Sequence, residues 1–225
     1  MAVKRIVPLM LAAALLQAQT VVSYFPNGKI AAKTHYIDGT RTPNSQGIKD
    51  GEERVYYAEG GLAYKVNYVH GKRDGKMVWY DKQGHVIKVI HYTLGKRNGW
   101  VIEYFPNGTI KSKQWYKDDK REGVYKEYYD NGNLALTVPY RQGKKEGWQK
   151  EYSYDGKLVT QVMYKNNYKE GEQVWYDAKG HVVRTQKFVH DMPQNLAQLL
   201  HERPTARQDS RFQRLGLDFS PNRAH

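Results

Sequence analysis

Apolar and polar residues alternate along this chain in short runs, and glycines cut the runs at a fixed interval. The stretch GWVIEYFPNGTIKSKQWYKDDKREG shows one full unit. It has a run from Trp100 to Phe105, a Pro106-Asn107-Gly108 break, a run from Thr109 to Tyr116, and a second break ending at Gly123. Period-two alternation in runs this short is the signature of a half-buried strand. Pro-Asn-Gly suits a tight hairpin turn, with glycine where the backbone needs a positive φ. A three-residue loop pairs Phe105 with Thr109 and Tyr104 with Ile110. Unbroken alternation then puts Trp100, Ile102, Tyr104, Ile110 and Tyr116 on one face, with Glu103 and Lys111 on the other. The KDDKREG segment reads as the turn into the next hairpin.

The same unit recurs. Tyr56, Tyr80, Tyr104, Tyr128, Tyr152 and Tyr176 stand 24 residues apart. Each is followed by a glycine (Gly60 to Gly180), then an aliphatic (Leu62, Val86, Ile110, Leu134, Leu158, Val182), then an aromatic (Tyr68, Tyr92, Tyr116, Tyr140, Tyr164, Phe188). An earlier copy begins at Tyr24, and the extra residues before the next one fall in an insertion, Thr40 to Gly47, that reads as a candidate specificity loop. A lone hairpin is marginal in water, whereas hairpins in series bury a shared apolar face. The pattern therefore predicts an all-β repeat protein. Consecutive 24-residue β-hairpins stack into an elongated sheet or solenoid over residues 24–191, with both tyrosine columns as its core. Beyond it, DMPQNLAQLLHERP reads as a short helical C-terminal cap with Pro193 in its first turn, and residues 192–225 form cap and tail.

The element Y-x-x-G-K-x-x-G, as in YVHGKRDG, YTLGKRNG and YRQGKKEG, resembles the MORN repeat. The spacing to the next tyrosine and its x-N-G turn is similar to the variant MORN repeat of bacterial proteins, many of which are grouped as YwqK-like antitoxins. The resemblance covers Tyr24 to about Asp191 and implies a non-enzymatic antitoxin or immunity role, exerted on a toxin by occlusion. Asp119 and Asn167 replace the first turn glycine, and both residue types can hold a left-handed conformation.

Composition adds limits. There is no cysteine, which excludes disulfides, thiolate metal sites and cysteine nucleophiles. Residues 1–18 have the three-part layout of a signal peptide: Lys4 and Arg5, an apolar run from Ile6 to Leu16, then Ala18 as the expected cleavage point. A secreted or periplasmic location follows as an expectation. The formal charge of +13 favours anionic partners.

Candidate partner-binding residues are the basic pairs Lys72/Arg73, Lys96/Arg97, Lys120/Arg121 and Lys144/Lys145, which read as one charged edge. The plain alternative is turn chemistry that also blocks edge-to-edge aggregation. Trp100 and Trp148 fall on the tyrosine face and read as core; Trp79, Trp115 and Trp175 fall opposite and read as an interface on an open sheet or as internal residues of a closed solenoid. Glu103, Glu127 and Glu151 recur at one interval but read as solvated residues beside lysines. No catalytic, cofactor or metal motif stands out. The expected partner is a protein, with anionic lipid or glycan as the alternative and nucleic acid disfavoured.

Overall fold

The computed structural model describes residues 19–37 and 47–194. The segment read as a signal peptide, the Thr40–Gly47 insertion apart from Gly47, and residues 195–225 of the expected cap and tail lie outside them; Met192 and Pro193, expected at the start of the cap helix, instead pair as a short strand with Val189 and Phe188. The chain divides into two compact units, residues 1–108 and 109–225. The first holds β1 (Gln19–Tyr24), β2 (Ile30–Tyr36), β3 (Lys49–Tyr56), β4 (Leu62–Val69), β5 (Lys72–Tyr80), β6 (Val86–Thr93) and β7 (Lys96–Tyr104). The second holds β8 (Ile110–Lys117), β9 (Lys120–Tyr128), β10 (Leu134–Arg141), β11 (Lys144–Lys145), β12 (Gly147–Tyr152), β13 (Leu158–Lys165), β14 (Tyr168–Tyr176), β15 (Val182–Val189) and β16 (Met192–Pro193). Within each unit the strands pair antiparallel in chain order, β11 being a side pairing of β10. Among the described residues no pairing closes either unit into a barrel. The predicted all-β array of hairpins is what the chain forms.

Two turn types alternate. The first follows each leading tyrosine. The Asp81 N–H donates to the His85 carbonyl and the Gly84 N–H to the Asp81 carbonyl, with Gly84 at φ +89°. This is a three-residue loop with glycine in the left-handed region. Leading tyrosines then pair with aliphatics as expected: Tyr56 with Leu62, Tyr80 with Val86, Tyr128 with Leu134.

The second turn is only two residues long. His70 and Gly71 both have positive φ between the paired Val69 and Lys72, which defines a type I′ hairpin. Asp119 and Asn167 do hold the left-handed conformation, at φ +66° and +77°. Leu94 adopts it too, at φ +47°, although it is 60% exposed and gains little from burial there. A leucine is strained in that region where asparagine is not. Leu94→Asn is therefore expected to stabilise the protein by about 1 kcal/mol. A urea midpoint that fell instead would rule out the strain.

One feature overturns the expected sharing of faces. After each leading tyrosine the register slips by one residue: Tyr80 pairs with Val86, but Trp79 pairs with Lys88. The bulge leaves Ile87 unmatched and reverses which side the rest of the strand presents. The two tyrosine columns thus lie on opposite faces. The closing aromatics share theirs with the buried residues: Val66, Tyr68 and Met77, packed by Tyr64, Trp79, Ile90 and Tyr92, in the first unit, and Tyr116, Val138 and Val162 in the second. The leading tyrosines Tyr56, Tyr80, Tyr104, Tyr128, Tyr152 and Tyr176 are half-buried on the other side.

The tryptophan assignments change with it. Trp79 and Trp175 lie on the closing-aromatic face, Trp79 stacked on Tyr64 with centroids 4.6 Å apart and Trp175 under Arg184 at 4.6 Å. Trp100 and Trp148, expected in the core, are 36% and 40% exposed.

Candidate functional site

The basic pairs open strands rather than sit in loops, so their two members point to opposite faces. The second member of a pair lies over the closing aromatic of its own hairpin. Arg73 stands 5.5 Å from the Tyr92 centroid, Arg121 5.0 Å from Tyr140 and Lys145 4.5 Å from Tyr164. Lys49 over Tyr68 and Lys169 over Phe188 extend the pattern at each end. Such contacts are worth about 0.5–1 kcal/mol each at exposed sites. Arg97, expected on the exposed charged edge, is instead half-buried, in register with Tyr92 across β6 and β7. The alternation that leaves its neighbour Lys96 in solvent turns Arg97 to the other face, so it does not contribute to that edge.

Burial, then the neighbouring Arg121 and Lys169 charges, hold the Lys145 ammonium below its usual pKa. The repeats show an internal rule. Where the second member is lysine, the side chain four positions on accepts from it, as in Lys145 to Gln149 and Lys169 to Gln173. The buried Glu53 does the same for Lys49. Where it is arginine, as at Arg73, Arg97 and Arg121, that position is Met77, Val101 or Tyr125.

The acids of these segments are also engaged. The N–H opening the next type I′ turn donates to each of them: His70 to Asp50, Leu94 to Asp74, Gln142 to Glu122, Asn166 to Glu146 and His190 to Glu170. The His70 ring adds a bond to Asp50 and, with the same residue's N–H, holds that carboxyl below the usual aspartate range. Asp177 is lowered likewise by the His181 N–H. A depressed folded-state pKa contributes stability above the unfolded value, about 3.9, and loses it as pH falls through the lower folded value. Thermal midpoints are expected to drop below about pH 4, less steeply in Asp50→Asn and Asp177→Asn. An unchanged acid slope in both variants would count against the caps.

Of the pairs, the first members Lys72, Lys96, Lys120 and Lys144 are exposed on the turn edge. The glutamates do not assemble. Glu103 pairs with Lys88 at 2.7 Å, Glu127 accepts from the Tyr125 hydroxyl, and Leu136 lies in register between Glu127 and Glu151. Among the described residues no cluster of three or more His, Asp or Glu side chains fits a metal ion.

A different arrangement emerges on the leading-tyrosine face of the second unit. Val124 pairs with Pro139 and Trp148 with Met163, forming a row; Trp115 lies on the same face of β8 but in register with Glu122. Trp115, Val124 and Trp148 are each 40–42% exposed. At strand spacings of about 4.8 Å the strands that carry the two indoles lie roughly 14 Å apart. Beside the row runs a polar one, where Lys113 pairs with Lys126 and Thr137 lies between Lys126 and Lys150. Sequence reasoning found Trp115 but lost Trp148, because the bulge that exposes it leaves the 24-residue period unchanged.

No curated protein matches the chain in sequence. Among solved structures, it is similar to a chain of a crystal structure described as the GtfA/B complex bound to UDP and GlcNAc. Identity is 13%, with 87% of this chain and 35% of that one covered and a TM-score of 0.25; this chain spans about a third of that chain's length. It is also similar to a protein of unknown function from Bacteroides fragilis NCTC 9343, at 8% identity, 79% and 96% coverage and a TM-score of 0.14. At those scores neither likeness bears on function. The MORN repeat variant family's model matches five segments of the chain, residues 20–38, 49–70, 97–118, 121–142 and 145–166.

Proposed function

We propose that this chain is a non-enzymatic, secreted or periplasmic binding protein that docks a protein partner on the Trp115–Trp148 face, as an antitoxin or immunity protein occludes a toxin. The exposed indole row carries the reading. Exposed tryptophan is costly in water and enriched among the residues that dominate interface energy, and here Trp148 pairs with Met163 beside the Val124–Pro139 pair, with Trp115 on the same face. MORN repeats are generally binding modules, which agrees with it. The compartment rests on the layout of residues 1–18 and the absence of cysteine.

Affinity capture with the products of neighbouring genes tests the idea. A partner held by the wild type is expected to be lost from a Trp115→Ser, Trp148→Ser double variant and kept when Lys72, Lys120 and Lys144 become Gln. Recovery of no specific protein, or retention by the tryptophan variant, refutes it. The exposed edge lysines favour one alternative, an envelope scaffold resting on anionic lipid or glycan. That reading requires co-sedimentation with anionic vesicles that disappears at high salt and in the lysine variant.

A further inference from the structure

A repeat protein contains its own control for surface chemistry. On the leading-tyrosine face, the position two before the leading tyrosine is Arg54, Val78, Ile102, Lys126, Lys150 and Val174 through the successive copies. The position nine after it is Lys65, Val89, Lys113, Thr137, Gln161 and Thr185. Only the hairpin of β5 and β6 is apolar at both. Its two valines pair directly, and Val89 pairs onward with Ile102 on β7. Three aliphatic side chains thus lie abreast where, Val22 and Val174 apart, other copies present lysine, arginine, threonine or glutamine. The fold does not demand this, since the same backbone forms with polar residues at these positions in β9, β10 and β12.

These residues form the floor of an open groove of about 740 Å³ within the first unit, with Val86 and Tyr104 beside them. That volume is in the range of small-molecule sites, roughly 300–1,000 Å³. No acidic residue lines the groove. Lys76 does, paired across the strands with His91. The His91 Nδ1 lies 2.8 Å from the Trp100 carbonyl. A carbonyl only accepts, so Nδ1 carries the hydrogen and the ring is anchored by it. The groove therefore offers an aliphatic floor with one exposed cation on its rim and no competing carboxylate.

We propose that this groove binds a small amphiphilic carboxylate, its apolar body on Val78, Val89 and Ile102 and its carboxylate at Lys76. The site is separate from the Trp115–Trp148 row and does not depend on it. Calorimetric titration of the whole protein with octanoate, and with octanol as the uncharged control, tests the claim. Octanoate is expected to bind at one site. Val89→Gln, which installs the residue that Gln161 holds in a sister repeat, should weaken it by about tenfold or more. Lys76→Glu, the counterpart of Glu172, should weaken octanoate by a similar factor and leave octanol within about twofold. Both variants carry residues already tolerated at the same repeat position, and Val89→Thr, the counterpart of Thr137, replaces Val89→Gln if that variant fails to fold. The proposal is overturned if octanoate does not bind at millimolar concentration, if octanol binds equally well, or if Val89→Gln changes nothing. It is equally overturned if Val89→Gln abolishes capture of a protein partner while octanoate never binds, which would make the groove part of a protein interface.

Discussion

Gly99→Ala is expected to destabilise the protein by about 3–4 kcal/mol. Gly99 has φ +116°, beyond the left-handed region that other residues tolerate, and a Cβ there would stand 2.9 Å from the Cβ of His91. That atom is fixed to backbone and cannot swing aside. Gly75 holds the same place one repeat earlier, at φ +79° with nothing within 4 Å of a built Cβ. Gly75→Ala should cost only the ordinary left-handed penalty, about 1–2 kcal/mol. The pair separates close approach from backbone preference. Equal losses in denaturant unfolding would mean that the His91 contact is not what excludes a side chain at Gly99.

Val66→Ala should cost about 2–3 kcal/mol. Val66 is 1% exposed and packs with Tyr68 and Met77 at the centre of the first unit. Repeat arrays transmit a lesion mainly to nearest neighbours, so the loss is best read locally. Amide exchange in β4, β5 and β6 should accelerate by about 30-fold or more, with β13 to β15 little changed. Val183, 62% exposed, provides the control, and Val183→Ala should stay within about 0.5 kcal/mol. Uniform acceleration through both units would show that the chain unfolds as one block, against the local packing described here.

The hairpins were legible because glycine and tyrosine recur at one interval, and so were the turns that glycine, aspartate and asparagine can make. The faces were not. A single unmatched residue such as Ile87 has no composition signal, since the period counts residues and not pleats. It moved Trp148 from core to surface and Trp79 the other way. The role of Arg73, Arg121 and Lys145 was nearer to hand. Each precedes an aromatic by 19 residues, and the exchange of Lys with Gln149 or Gln173 for Arg with Met77 or Tyr125 marks a shared environment. Arg97 belongs to the same column, 19 residues before Tyr116. Read as turn residues, these cations all face solvent; as strand residues, alternate members turn to the face of the aromatic rings, Arg97 and Lys145 half-buried and Arg73 and Arg121 still exposed.

The bonds that carry one hairpin to the next reuse a single offset: Asp74 to Leu94, Glu122 to Gln142, Glu146 to Asn166 and Glu170 to His190 each span 20 residues. Excising one whole period from the second unit would bring equivalent partners together again at the scar, and duplicating one would supply a new donor for every new acceptor. Such a gene can lengthen or shorten by unequal recombination without any compensating substitution, so array length is a heritable variable on which selection can act apart from the chemistry of any single face.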